Sequence, residues 1–329
     1  MRVAIDCRKI ADYGIGTYIR GLLGALRDVE LVALGPRSIA ALLPAGIEHV
    51  VVDAPHYSLR ELVVVGRAAD RAGVDLFHAP HYVLPATRVP SVVTIHDLIH
   101  LHQPLRNPAA RLYARVMLGR AVRRAARVLT VSQAVKRDLV AFGCEEEKID
   151  VTPNGIDERF TPGSAAADGG YFLYVGNDKP HKNVARLVEA FGKVGGRLVL
   201  AGAAFERYRG IRGVETRGFV GDDELVDLYR GAIALVLPSM EEGFGLPAAE
   251  AMACGAAVIT STAPALVEIT GDAALHVDAR DADALAAAMQ CVASDDALRA
   301  TLGARGAERA RAFTWEKCAA KTIESYRKS

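Results

Sequence analysis

The chain has 329 residues, and its 40 lysines and arginines nearly balance 39 aspartates and glutamates, for a formal net charge of +1. That balance excludes a general nucleic-acid footprint, because no surplus of positive charge is offered to a polyanion. A hydrophobic content of 51% supplies core material for about two domains, and no apolar run approaches the ~20 residues that cross a bilayer as a helix. Cys7, Cys144, Cys254, Cys291 and Cys318 are scattered, odd in number and without a C-x-x-C pair. They point to a reducing, cytoplasmic setting and against a disulfide framework or a zinc knuckle. The N-terminus opens on a strand-like run without a charged-then-apolar leader.

Arg2–Cys7 reads as the first strand, and Tyr13-Gly14-Ile15-Gly16-Thr17 leads into an amphipathic helix to about Leu26. Strand, Gly-x-Gly and helix invite the dinucleotide fingerprint. Ile19 holds the third glycine position, however, and no acidic residue closes a second strand at the required distance, which argues against a nicotinamide cofactor. Leu31–Leu34 and Glu48–Asp53 continue as strands, and Tyr57–Leu62 begins a helix. Asp75–Tyr82 and Ser91–Leu98 are strand ends carrying polar residues where a parallel sheet opens. His78, His81, His96, His100 and His102 crowd these segments. Only His96 and His100 stand one helical turn apart, and they flank a strand end, so hydrogen-bonded histidines in a cleft wall are expected rather than a metal site.

Leu105 to Val128 reads as a long helical region carrying Arg106, Arg111, Arg115, Arg120, Arg123, Arg124 and Arg127, with Leu112, Val116, Met117, Ala121 and Val122 between them. A solvated basic face accounts for this pattern; docking on an anionic membrane surface through Arg111 to Arg127 accounts for it as well. Arg127–Ser132 is a strand, Gln133–Phe142 a helix, and Pro153-Asn154-Gly155 a turn. The polar stretch Asp157–Gly170, with Pro162, Gly163, Ser164, Gly169 and Gly170, reads as the interdomain linker.

Tyr171–Gly176 restarts the strand–loop–helix pattern, with Asn177–Asn183 as the loop and a helix to about Phe191. Lys182 at a helix N-terminus suits a diphosphate, a compact charge beside free N–H groups, though a lone lysine there reads equally as a solvated cap charge. Arg197–Gly202 is a strand, and Phe219 and Val220 read on pattern alone as core strand. Ala232–Pro238 is a buried parallel strand that runs into Glu242-Gly-Phe-Gly-Leu-Pro-Ala-Ala-Glu250-Ala-Met-Ala-Cys-Gly255. Pro247 suits the first position of a helix and Gly255 its end. A helix start at the end of a parallel strand presents N–H groups and positive partial charge to a phosphate, and Gly243 and Gly245 let backbone approach a ligand. Glu242 stays in the loop and Glu250 falls in the first helical turn. An ionised carboxylate can clamp a ribose or hexose diol; helix-dipole and solvation effects also account for two lone glutamates. Asp281 before an Ala-rich helix reads as an N-cap, and Asp281-Ala-Asp283 not as a metal site.

The Glu242–Gly255 segment closely resembles the E-x7-E motif of family-four retaining glycosyltransferases, most of all the bacterial mannosyltransferase-type members that build surface polysaccharides. Gly14-Ile-Gly-Thr-Tyr18, Val93-Thr-Ile-His-Asp-Leu98, Pro153-Asn-Gly-Ile-Asp157, Pro180-His-Lys-Asn183, Gly218–Tyr229 and Phe313–Tyr326 resemble further segments of that family, so the likeness runs over nearly the whole chain. It implies an α/β chain of GT-B architecture, two Rossmann-like doubly wound domains facing across a cleft. Residues 1–163 would bind the acceptor, 164–312 the nucleotide sugar, and a helix in 313–329 would cross back to the first domain. It further implies that Gly14 and Gly16 face the donor diphosphate, that His96 contacts the transferred sugar, and that Lys182 is the donor-diphosphate lysine. His181 and Asn177 stand where other members carry arginine, and Lys179 would supply the second cation. Phe219 and Val220 would line the nucleobase pocket; Gly243, Phe244, Gly245, Leu246 and Glu250 would bind the donor; and His96, Lys182 and Glu242 would form the catalytic set.

The implied reaction is metal-independent hexosyl transfer with retention, without a cofactor beyond the nucleotide-diphosphate sugar, for which GDP-mannose is the first choice. The implied acceptor is a glycan or a lipid-linked sugar, and the implied place is the cytoplasm or the inner membrane face. Two other readings use the same fold: a sugar-nucleotide epimerase or hydrolase, and a non-catalytic sugar-nucleotide binder suggested by Asn177 and His181.

Overall fold

The structure, a computed structural model, describes residues 1–102, 108–164 and 170–329. Leu105 and Arg106 of the expected basic helix and Gly169 of the expected linker lie outside the described residues. The chain forms two units, Met1–Gly155 with Thr314–Ser329, and Ile156–Phe313. The first crossing therefore comes at Gly155, ahead of the boundary expected at residue 163. Packing explains the shift: Gly155 lies so close to Trp315 that a Cβ on it would stand 2.2 Å from the Trp315 backbone nitrogen. The chain is thus held in the first unit until that glycine.

The first unit runs β1 (Arg2–Asp6), α1 (Gly14–Ala25), β2 (Glu30–Gly35), β3 (Glu48–Val51), α2 (Leu59–Arg71), β4 (Leu76–Ala79), β5 (Ser91–Ile95), α3 (Ile99–His102), α4 (Pro108–Arg124), β6 (Arg127–Thr130), α5 (Gln133–Phe142) and β7 (Ile149–Val151). The second runs β8 (Tyr171–Asn177), α6 (Val184–Val194), β9 (Leu198–Ala203), β10 (Val214–Arg217), α7 (Asp222–Gly231), β11 (Ala232–Leu237), α8 (Leu246–Ala253), β12 (Val258–Ser261), α9 (Pro264–Thr270), β13 (Leu275–Val277), α10 (Ala282–Ser294) and α11 (Asp296–Ala310). The last helix, α12 (Trp315–Arg327), belongs to the first unit.

The sheets are ordered β3-β2-β1-β4-β5-β6-β7 and β10-β9-β8-β11-β12-β13, and every pairing is parallel. Their central strands are buried on both faces, which is why they read as unbroken apolar runs. β10 was not legible in that way. Its Val-Glu-Thr-Arg sequence lies half-buried at a sheet edge, paired among the described residues with β9 alone.

The first sheet carries core on each face. On one, Val32, Phe77, Ile95 and Leu139 pack together; on the other, Ile5, Tyr18 and Leu22 pack with Trp315, Ile323 and Tyr326 of α12. A buried polar chain fastens that helix. His78 bonds the Tyr326 hydroxyl through Nδ1 at 2.7 Å and Thr94 Oγ1 through Nε2 at 2.7 Å, and Tyr18 OH lies 2.9 Å from the same Thr94 oxygen. Burial pulls the His78 pKa down to about 3, so the ring enters this chain neutral.

The expected helix to Val128 is shorter. It ends at Arg124, and Arg127 lies in β6, where its guanidinium forks onto Asp150 of β7 at 2.9 and 2.7 Å. Arg127 is therefore spent inside the sheet and leaves the basic helical face.

A Cβ on Gly21 would come within 2.1 Å of the Trp315 ring, whereas nothing lies within 4 Å of the corresponding position on Gly24. Gly21→Ala should cost about 1–3 kcal/mol through overpacking. Gly24→Ala, exposed on the same helix, should be neutral or stabilising. Urea midpoints of the two variants check this, and equal midpoints would refute close α1–α12 packing.

Candidate active site

The second sheet reverses its strand order between β8 and β11. In open parallel sheets ligands bind beyond the carboxyl ends of strands at such a reversal. The loop after β8 makes one 3-10 turn, Pro180–Lys182, and then Asn183 takes a left-handed conformation (φ 58°) before α6. Lys182 thus stands two residues ahead of the α-helix and not in its first turn. Asn183 Nδ2 donates to Pro238 O at 3.2 Å and to Ala279 O at 2.6 Å, and Met240 N–H donates to His181 O at 2.7 Å. These bonds stitch the loop after β8 to the loop after β11 and to the segment after β13.

Two opposite charges meet across that seam. Lys182 Nζ lies 2.7 Å from Glu242 Oε1, with the side chains 20% and 8% exposed. Ser239 Oγ donates to the same carboxylate oxygen at 2.7 Å, and the Ser261 hydroxyl donates to Ser239 O. Neither solvated reading survives this geometry: Glu242 is a braced, mostly buried carboxylate, and Lys182 is its partner.

α8 starts at Leu246, behind Gly245 at φ +90°. A Cβ on Gly245 would also stand 2.5 Å from Leu266 Cδ2, so both backbone and space demand glycine there. Pro247 occupies the second helical position instead of the first, and Gly255 follows the end at φ +76°. Gly243 is buried. Phe244 is also buried and meets Phe313 edge-on at 5.5 Å. Its side chain is core, not an open face for a ligand.

Glu250 falls in the second turn of α8, not the first. The dipole explanation weakens there, since that effect fades beyond the first turn. Its Oε2 accepts a 2.8 Å hydrogen bond from Tyr229 OH, contributed by α7. Phe219 and Val220 lie after β10 and outside any strand, with Phe219 75% exposed, so the core-strand reading fails. Lys179 is exposed at the start of the 3-10 turn. Asp281 does cap α10, accepting from the N–H groups of Asp283 and Ala284 at 2.9 Å each.

In the first unit, α1 begins at Gly14, so the expected glycine loop is a helix start. The Gly16 N–H donates to Tyr13 O at 2.7 Å, and a Cβ on Gly16 would lie 2.5 Å from Ile10 O. The helix N-terminus is therefore at Gly14, and the close approach of the Ile10 carbonyl explains the second glycine. His96, half-buried at the end of β5, meets Tyr18 edge-on at 4.8 Å, and its Nε2 lies 3.1 Å from Pro80 O. A carbonyl only accepts, so Nε2 carries the proton and Nδ1 is left as an acceptor. Burial lowers the His96 pKa to about 4, which keeps the ring neutral near pH 7. Among the described residues no three His, Cys, Asp or Glu side chains gather as a metal site. The residues that sequence reasoning missed are Tyr229 and Ser239, whose roles depend on partners that only the fold supplies.

The family model described as Glycosyltransferase Family 4 matches residues 14–160, and that described as Glycosyl transferases group 1 matches residues 157–309. O-antigen chain mannosyltransferase B of Escherichia coli is 32% identical over 286 residues, spanning 77% of this chain and 74% of its own. The chain belongs to glycosyltransferase family 4. D-inositol 3-phosphate glycosyltransferase of Kribbella flavida is 28% identical, over 97% of this chain and 88% of its own. Anabaena Alr3699/HepE, solved in complex with UDP and glucose, shares the fold at a TM-score of 0.80, with 18% identity and 99% of each chain covered. Two parallel sheets flanked by helices and these neighbours establish the GT-B architecture.

In this glycosyltransferase burial pushes the Glu250 pKa up to about 7; the Tyr229 bond opposes the shift, and Asp222 and Asp157 add to it. The folded state therefore holds a proton that the unfolded chain, near 4.5, releases. Below pH 4.5 both states are protonated and nothing is lost. Stability falls as pH rises through 7, in total by on the order of 3 kcal/mol. Glu250→Gln should thus stabilise the protein by up to about 3 kcal/mol at pH 8 and leave it unchanged at pH 4. Unfolding titrations at both pH values check this; equal effects would mean that Glu250 ionises normally.

Proposed function

We propose that this glycosyltransferase moves a hexose, mannose in the first instance, from a nucleotide-diphosphate sugar to a glycan or lipid-linked acceptor, with retention at the anomeric carbon. The observation that carries the reading is the Lys182–Glu242 pair beside the start of α8, at the reversal between β8 and β11. Departure of a nucleoside diphosphate leaves negative charge that must be met where it develops. Lys182 and the N–H groups in the first turn of α8 meet it, with exposed Lys179 as a second cation. When Lys182 turns to the diphosphate, Glu242 is released to accept from sugar hydroxyls. Ser239 keeps that carboxylate from swinging away. Ionised Glu250, steadied by Tyr229, accepts from the ribose diol.

The exposed Phe219 ring and Val220 receive the base, and the start of α1 at Gly14 serves the diphosphate. His96 is assigned the transferred sugar, with Nδ1 accepting from a hydroxyl. None of these roles uses a metal ion, and we assign no protein nucleophile; the leaving phosphate takes the acceptor proton. GDP-mannose and surface polysaccharide are favoured because the Escherichia coli relative is named for O-antigen mannosyl transfer. A UDP-sugar is the other donor to test, given the Anabaena structure.

Contact with an anionic membrane face through α4 also belongs to this reading, with the enzyme acting at the cytoplasmic surface. Exposed Leu112 and Val116 lie one turn apart, and exposed Arg111, Arg115 and Arg123 flank them. Among the described residues no helix is long and apolar enough to cross a membrane.

Lys182→Ala should lower turnover with GDP-mannose by on the order of 10²-fold; a loss below roughly twofold would remove its role with the leaving group. Sustained nucleotide release that needs no acceptor would favour a hydrolase, and conversion of the donor sugar itself an epimerase. The whole protein should co-sediment with phosphatidylglycerol vesicles at low salt, and Arg111→Glu combined with Arg115→Glu should abolish this. Failure of the parent protein to sediment would end the membrane reading.

A further inference from the structure

The first sheet also reverses its strand order, between β1 and β4, and the residues just past these strands form a second cluster. Its floor is Arg8, buried and fully engaged. The guanidinium forks onto Asp6 at 2.9 and 2.7 Å, reaches Glu61 Oε2 at 3.0 Å and donates to Ala54 O at 3.1 Å. Glu61 is also the third residue of α2, where its Oε1 accepts from Ser58 N–H at 3.1 Å in a capping box. One glutamate therefore ties the buried arginine to the backbone immediately after Tyr57.

That bracing holds Tyr57 at φ +59°, a left-handed conformation that bulky residues rarely adopt. The side chain is kept at the surface, 47% exposed. Lys9 Nζ, bonded to Asp12 at 3.0 Å, lies 5.0 Å from the Tyr57 ring centre. Tyr57 stacks with Tyr82 at 6.1 Å and 29°, and Tyr82 meets His100 edge-on at 5.8 Å. His56 stands 6.4 Å from the Tyr57 ring, and its buried Nδ1 has no hydrogen-bond partner among the described residues. An exposed aromatic surface, a strained backbone and an unspent imidazole nitrogen thus coincide at a sheet reversal. None of this contributes to the donor chemistry of the second unit.

We propose that Tyr57 and Tyr82 are the platform for the acceptor's terminal sugar, and that this sugar is a neutral pyranose, not a phosphorylated or acidic one. The inference rests on the hexosyl-transfer reading above. The aromatic pair offers an apolar surface to the C–H face of a sugar, with hydroxyl groups at its edge. Charge selects the class. Arg8 is sunk against buried Asp6 and Glu61, and Lys9 is bonded to Asp12, so both cations already have carboxylate partners; Asp12 and Asp97 are the carboxylates of the cluster that reach the surface. A phosphate or carboxylate would meet surplus negative charge; sugar hydroxyls would donate to it.

Saturation-transfer NMR on the whole protein, with the methyl pyranosides of mannose, glucose and galactose and with mannose 6-phosphate as probes, tests this. At least one neutral glycoside should bind, more tightly than mannose 6-phosphate. Tyr57→Gly and Tyr82→Ala should each weaken it by about tenfold, while Tyr57→Phe retains it. Glycine suits the left-handed backbone at this position, and a melting curve confirms that the variant is folded. In steady-state transfer the acceptor KM should rise by about as much, with the donor KM within roughly twofold. The platform is overturned if no neutral glycoside binds, if both variants bind normally, or if the phosphorylated sugar binds better. Binding that the variants lose, without hexose transfer by the parent protein, would overturn the transfer reading and leave the platform standing. Transfer with an unchanged acceptor KM in both variants would do the reverse.

Discussion

A lysine and a glutamate sixty positions apart in sequence stand 2.7 Å from each other because two strands distant in sequence are neighbours in one parallel sheet. Everything assigned to the second unit depends on that meeting. A partly buried pair of this kind adds little net stability, since taking both charges out of water offsets much of their attraction. Its consequence is positional. Each side chain holds the other in place, Ser239 braces the carboxylate, and Ser261 in turn holds the Ser239 carbonyl. A diphosphate can exchange for the carboxylate on Lys182 without a charged group having to be assembled from solution, which is the economy of a preorganised site.

The two glutamates of the motif have opposite surroundings. Glu242 faces a cation. Glu250 is held away from water with Asp222 and Asp157 nearby, so burial raises its pKa against the opposing bond from the Tyr229 hydroxyl. Spacing alone makes them look equivalent. The fold separates them, because Gly245 starts the helix between them and carries Glu250 into a second turn packed against α7. The cost to stability of ionising Glu250 is the kind of penalty a protein keeps where a carboxylate must accept from a ligand's hydroxyls.

Much of the fold was legible because parallel strands buried on both faces leave continuous apolar runs: β8, β9 and β11 could be read within a residue or two. β10 could not, since an edge strand with alternating charges looks like loop. Arg127 read both as the last arginine of the helix and as the first residue of a strand; the strand holds it, with Asp150 of the neighbouring strand as its partner. The motif residues were legible as positions but not as contacts. Phe244 belongs to the motif and yet packs into the core, and Gly16 is explained by Ile10 O. Tyr57 read as the opening of a helix, whereas the helix begins at Leu59 behind the Ser58 cap and Tyr57 stands outside it in a left-handed conformation. Its backbone conformation is imposed by Arg8 and Glu61, two residues that sequence alone does not bring together.

The two sheets solve the same topological problem with different electrostatics. Each reverses its strand order and places charged side chains just past the strands at the reversal. In the second unit a cation and a helix start are kept at that edge, with the carboxylate held in a bridge it can leave. This suits a ligand that arrives negative and leaves more so. In the first unit the arginine is sunk and neutralised by buried Asp6 and Glu61, the lysine is paired with Asp12, and aromatic rings with Asp12 and Asp97 form the outer layer. Exchanging the two ligands would cost each site what it is built to supply: a diphosphate would meet carboxylates, and a neutral sugar would leave a lysine and helix N–H groups without their charge. On the proposed assignment, discrimination between donor and acceptor would follow from which side chains are spent internally in each unit and which are left at the edge.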